Sequence, residues 1–65
     1  TMRLAFKIPG KSYGGASQIL RQYQKKEEWL SNGEWVCVVE IPAAMKGDLI
    51  SQTARRAPEL EVKEL

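Results

Sequence analysis

Ser31-Asn32-Gly33-Glu34-Trp35-Val36-Cys37-Val38-Val39-Glu40-Ile41 is the stretch on which the fold turns. Asn-Gly is the strongest short hairpin signal, because a two-residue type I′ turn needs positive φ at both central positions. Behind it, Trp35 to Ile41 is apolar at nearly every position and rich in β-branched residues, the composition of a central strand buried on both faces. Pro42 closes that strand and suits the first turn of a following helix, where a missing N–H costs nothing.

The elements on either side follow from periodicity. Lys25 to Leu30 is a charged segment that returns antiparallel through the turn. Upstream, Met2, Leu4, Phe6 and Ile8 alternate with Arg3, Ala5 and Lys7, as in a half-buried strand. Pro9-Gly10 ends it, and Lys11 to Gly15 reads as a polar, glycine-rich loop. Ala16, Ile19, Leu20 and Tyr23 fall on one helix face, with Ser17, Gln18, Arg21 and Gln22 turned outward, over about three turns. Past Pro42, Met45, Leu49, Ile50, Thr53, Ala54 and Ala57 form a second apolar stripe. Gly47 weakens the start of that helix and Pro58 stops it. Glu59 to Leu65 alternates again, with Leu60 and Val62 on one side. The order strand, helix, strand, strand, helix, strand specifies an α+β, ferredoxin-like βαββαβ fold: a four-stranded antiparallel sheet with two helices on one face. The 65 residues make a single domain, and Met2 behind Thr1 is not an initiator, which suggests a domain of a longer parent.

A two-residue turn at Asn32-Gly33 sets a register. Ser31 then pairs with Glu34, Leu30 with Trp35, Trp29 with Val36, Glu27 with Val38 and Lys25 with Glu40, and partners share a face. The core face takes Leu30, Trp35, Cys37, Val39 and Ile41. The open face takes Trp29, Val36 and Val38, ringed by Lys25, Glu27, Glu40, Arg3, Lys7, Glu61 and Lys63. An exposed Trp29–Val36–Val38 strip of that kind is a candidate protein-interaction surface.

Catalysis lacks its parts. There is no histidine, hence no common general base or metal ligand, and Cys37 in mid-strand reads as a small core residue rather than a nucleophile. Metal-ligand spacings are absent. Glu27 and Glu28 are neighbours on a strand and point to opposite faces. Pro9-Gly10-Lys11-Ser12 lacks the upstream glycine of a phosphate loop. The chain reads as a non-enzyme with no cofactor and no small-molecule substrate. No apolar run is long enough for a membrane span, and a lone thiol suits a reducing, cytoplasmic compartment.

Ten Lys and Arg against eight Asp and Glu leave a net charge of +2, too mild to specify nucleic acid. Lys7, Lys11, Lys25, Lys26, Arg55 and Arg56 are the candidate RNA- or ribosome-binding residues. Arg55-Arg56 also complements the C-terminal dipole of the second helix. Val36 and Val38 occupy positions where an RNA-recognition sheet of this topology would need stacking aromatics, which disfavours base-specific readout.

Lys25 to Leu49, with Glu-Glu-Trp before the turn, Gly-Glu-Trp after it and Val-Val-Glu-Ile-Pro leading into the second helix, resembles the C-terminal domain of the archaeal Shwachman–Bodian–Diamond syndrome protein family. Met-Arg-Leu-Ala-Phe-Lys-Ile-Pro at the start and Leu-Glu-Val-Lys-Glu-Leu at the end fit as well. Gly14-Gly15-Ala16-Ser17, Gln24-Lys25 and Arg56-Ala57-Pro58 depart from the family's pattern. The resemblance implies the last, ferredoxin-like domain of a three-domain ribosome maturation factor. It implies binding to the large ribosomal subunit, through rRNA and ribosomal protein near the stalk base, and help in releasing the anti-association initiation factor. Eukaryotic members of the family work with a translational GTPase. The other reading of the residues is a generic ferredoxin-like interaction domain that pairs through its open sheet face.

Overall fold

The alternation in Met2–Pro9 becomes strand β1 in a computed structural model that describes residues 1–65. Leu4, Phe6 and Ile8 are fully buried, each worth about 1.5–3 kcal/mol relative to exposure. The apolar run behind the turn becomes β3 (Glu34–Ile41), paired antiparallel with β1 along its whole length, from Met2 opposite Ile41 to Pro9 opposite Glu34. β2 (Gln24–Trp29) and β4 (Glu61–Glu64) form the edges, in the order β2-β3-β1-β4. Helices α1 (Tyr13–Leu20) and α2 (Lys46–Arg56) pack on each other over one face. The βαββαβ, ferredoxin-like reading is thus correct. One core joins Leu4, Phe6, Ile8, Trp35, Cys37, Val39 and Ile41 of the sheet to Ala16, Leu20, Leu49 and Ala57 of the helical layer.

Three local expectations are corrected. The polar loop over Lys11 to Gly15 does not exist: a 3₁₀ turn at Gly10–Ser12 runs directly into α1, which ends at Leu20 after eight residues. Gly14 and Gly15 are therefore helical, and the reason lies in packing. A Cβ on Gly15 would sit 3.1 Å from Cβ of Arg56, so the glycine lets α2 approach. Ser17, assigned to the outer face, is buried, and its hydroxyl donates to the Gly14 carbonyl at 3.3 Å. The irregular start expected for the second helix is a 3₁₀ turn at Ala43–Met45.

The third correction concerns the hairpin. Gly33 N–H donates to the Leu30 carbonyl at 3.0 Å and Leu30 N–H to the Glu34 carbonyl at 2.8 Å. The loop therefore has three residues, Ser31, Asn32 and Gly33, rather than two. Gly33 alone has positive φ, 90°, as in a type I turn followed by a glycine bulge. Asn32 keeps a negative φ because its side chain has other work: Oδ1 accepts from Glu34 N–H at 3.0 Å, and Nδ2 donates to Glu34 Oε1 at 2.8 Å.

The extra loop residue slips the register by one. Trp29 lies opposite Trp35, Glu28 opposite Val36, Glu27 opposite Cys37 and Lys26 opposite Val38. A one-residue slip sends each side chain of β2 to the other face. A bulge between Gln24 and Lys26 then restores phase, with Gln24 opposite Val39 and Lys25 as the unpaired extra residue.

Candidate functional site

With that register, the open face of the sheet is built from cross-strand rows. Lys26, Val38, Ala5 and Lys63 form one row, and Glu28, Val36, Lys7 and Glu61 form the next. Arg3 opposite Glu40 and Pro9 opposite Glu34 complete it. Val36 and Val38 do lie there, half-buried, as expected. Trp29 does not, and the expected Trp29–Val36–Val38 strip is replaced by Lys26, Glu28, Val36 and Val38. Lys25 and Glu27 leave the open face for the same reason.

Charge on this face is balanced. Arg3, Lys7, Lys26 and Lys63 meet Glu28, Glu34, Glu40 and Glu61. Lys7 Nζ sits 3.9 Å from Glu34 and 3.7 Å from Glu61, and Arg3 Nε lies 3.8 Å from Glu40. A shallow groove between β1 and β4, lined by Ala5, Lys7, Val36, Glu61 and Lys63, is the concavity of the molecule. A neutral, mixed-charge surface around a small apolar centre has the character of a protein contact surface rather than of a polyanion site.

Trp29 lies instead on the helix-covered side at the edge strand. Its ring centroid is 4.9 Å from Tyr13 and 6.5 Å from Trp35, and Tyr13 meets Trp35 edge-on at 4.8 Å. Trp35 is fully buried and Trp29 about half exposed (51%). Under this cluster the Trp35 Nε1–H donates to Glu27 Oε1 at 2.7 Å, a contact that the two-residue turn had hidden. Cys37, opposite Glu27, is buried. Burial first, and the Glu27 carboxylate second, push its thiol from 9.0 up to about 12, the opposite of an activated nucleophile. Every buried side-chain nitrogen and oxygen has a partner, so no polar group is held in reserve for a ligand. No group of three or more His, Cys, Asp or Glu side chains is placed to hold a metal ion. No helix is long and apolar enough to cross a membrane.

The six candidate RNA-contacting cations are dispersed. Lys7 is tied up on the open face. Lys11, at the opposite end of the helical layer from the α1–β2 corner, pairs with Glu59 at 3.3 Å. The Glu59 backbone N–H, then Lys11, hold the Glu59 carboxyl below its ordinary range. Arg55 and Arg56 close α2, with the Arg56 stem packed on Gly15. Lys25 and Lys26 stand at the start of β2, exposed and without a carboxylate partner. Arg21, just past α1, is equally free and was not among the candidates: helical periodicity marks it only as outward.

Comparison with known proteins places the chain. The sequence model described as "SBDS protein, C-terminal domain" matches residues 2–65. A curated relative, the "Ribosome maturation protein SDO1 homolog" of Methanothermobacter thermautotrophicus, is 40% identical over 47 residues, which cover 69% of this chain and 20% of the relative. The match thus spans about a fifth of that relative's length.

Proposed function

Because the chain belongs to the SBDS C-terminal domain family, we propose that it is the ribosome-binding C-terminal domain of a three-domain large-subunit maturation factor, acting in the cytoplasm. In this role it docks on the large ribosomal subunit, against rRNA and ribosomal protein near the stalk base, and helps to release the anti-association initiation factor, alongside a translational GTPase where one takes part. It works as a shaped, charged binding surface and carries out no chemistry. The family match across residues 2–65 carries this reading; the maturation role named for the methanogen relative agrees with it. The division of surfaces also agrees: a neutral sheet face suits ribosomal protein, and free cations elsewhere suit rRNA.

Sedimentation of the chain with purified archaeal large subunits tests it. Co-sedimentation at low salt that falls steeply as salt rises is the expected result, because phosphate contacts release counterions. Absence of co-sedimentation at any salt overturns the reading.

The open sheet face supports a second reading, a ferredoxin-like domain that pairs with protein alone. Its balanced rows and its Val36, Val38 and Ala5 centre favour it. Under this reading, Val38→Glu abolishes subunit binding, and binding is nearly independent of salt.

A further inference from the structure

The first 26 residues carry Arg3, Lys7, Lys11, Arg21, Lys25 and Lys26 and not one Asp or Glu. All eight carboxylates come later, so folding decides which of these cations is neutralised. It neutralises three. Arg3 meets Glu40, Lys7 meets Glu34 and Glu61, and Lys11 meets Glu59. Arg21, Lys25 and Lys26 meet none, and all three are exposed.

These three share one corner, and the backbone holds it. Arg21 N–H closes on Ser17 at 2.9 Å, Tyr23 N–H on Leu20 at 3.0 Å and Gln24 N–H on Arg21 at 3.4 Å, a tight turn out of α1. Glu40 N–H donates to the Tyr23 carbonyl at 3.3 Å, which pins the turn to β3. Directly after it comes the bulge that leaves Lys25 outside the ladder. The nearest carboxylates are committed elsewhere. Glu40 accepts from the Thr1 hydroxyl at 3.1 Å and faces Arg3, while Glu27 accepts from Trp35 Nε1.

We infer that the α1–β2 corner, Arg21 with Lys25 and Lys26, is the phosphate-backbone contact of this domain, and that its ligand is duplex RNA. The inference rests on the ribosome reading for the source of that RNA. Three uncompensated cations on a rigid corner neutralise phosphates without reading bases. The corner has no large exposed apolar side chain, and interface cores are depleted of charge, so it does not resemble a protein-docking site. Arg55 and Arg56 are excluded by their place at the far end of the helical layer, where they complement the dipole of α2.

The test measures binding of the intact chain to a fluorescein-labelled RNA duplex by anisotropy, over a salt series, beside large-subunit sedimentation. Contact with about three phosphates gives a log–log salt slope near −2.7, roughly a 40-fold loss between 50 and 200 mM. Arg21→Ala/Lys25→Ala lowers duplex affinity at least about tenfold and cuts the slope by about 2, whereas the charge-matched Arg55→Ala/Arg56→Ala changes both little. Circular dichroism verifies that both variants are folded. Equal losses in the two variants reduce the effect to net charge and overturn the inference. So does a wild-type chain that fails to bind the duplex, or that binds an acidic peptide more tightly than the duplex at the same salt. If Arg21→Ala/Lys25→Ala still co-sediments like wild type, the corner is wrong and the ribosome reading stands. If the wild type binds the duplex through this corner but never the subunit, the ribosome reading fails and the corner remains a phosphate site.

Discussion

The indole nitrogen of Trp35 donates a 2.7 Å hydrogen bond to a carboxylate oxygen of Glu27, joining the largest fully buried side chain to the exposed edge strand. A buried Trp needs a partner for its N–H, and here only the observed register provides one. Glu27→Ala removes it and leaves the donor unpaired, a loss of about 1–3 kcal/mol in urea unfolding. Glu27→Gln keeps an acceptor and loses less. Equal stability of Glu27→Ala and wild type would show that the bond contributes nothing.

Beside that bond lies the thiol of Cys37. Its folded value of about 12 lies above the ordinary 9.0, so the folded chain resists alkylation at pH 9, where an unfolded thiol reacts. The sign for stability follows from proton binding. Between pH 9 and 12 the unfolded chain gives up this proton and the folded chain keeps it, so the contribution is complete below pH 9 and is lost as pH rises toward 12. Cys37→Ser should flatten this alkaline decline in thermal unfolding curves. A wild-type thiol that reacts at the rate of the denatured chain would refute the assignment.

Much of the fold is legible because it depends on patterns with a definite period. Alternation in Met2 to Ile8 and the apolar run from Trp35 to Ile41 fix β1, β3 and the core; the helix stripes follow from spacing. The face of β2 depends on something else, the number of loop residues between Leu30 and Glu34. Asn-Gly suits both a two-residue turn with positive φ at Asn32 and a three-residue loop with positive φ only at Gly33. The Asn32–Glu34 side-chain bonds favour the second. β2 itself, Gln-Lys-Lys-Glu-Glu-Trp, has no apolar alternation to object to a slip. The candidate site inherited that ambiguity, since ion pairing between distant segments has no local signature: nothing adjacent to Lys11 announces Glu59, and nothing adjacent to Arg21 announces that it has no partner.

Trp29 offers a direct measure of the register. On the open face it would have touched Val36 and Val38, whereas it lies on Tyr13 at 4.9 Å. Aromatic pairs contribute about 0.5–1.5 kcal/mol beyond area, and Trp29 is half exposed. Trp29→Ala should therefore lower stability by about 1–2 kcal/mol while the chain stays folded. Tyr13→Ala in the same background should add less than it does alone, because the pair is already broken. Strict additivity of the two would mean that the rings do not interact.

Gly10 and Gly33 carry the closest constraint on the hairpin. A Cβ on Gly10 would lie 2.7 Å from the Gly33 carbonyl oxygen, a backbone atom that cannot rotate away. Gly33 has open space around its own Cβ position, but its φ of 90° is one that L side chains rarely adopt. The two glycines thus serve different physical needs, close approach at Gly10 and backbone conformation at Gly33. Gly33→Ala should cost about 1–2 kcal/mol, and Gly33→Asn less, because asparagine tolerates the left-handed region. At Gly10 the obstacle is steric, so Gly10→Asn should be no better than Gly10→Ala, both losing about 1–3 kcal/mol. Urea midpoints of the four variants separate the cases. Rescue by asparagine at Gly10, or its failure at Gly33, would reverse the assignment of the two roles.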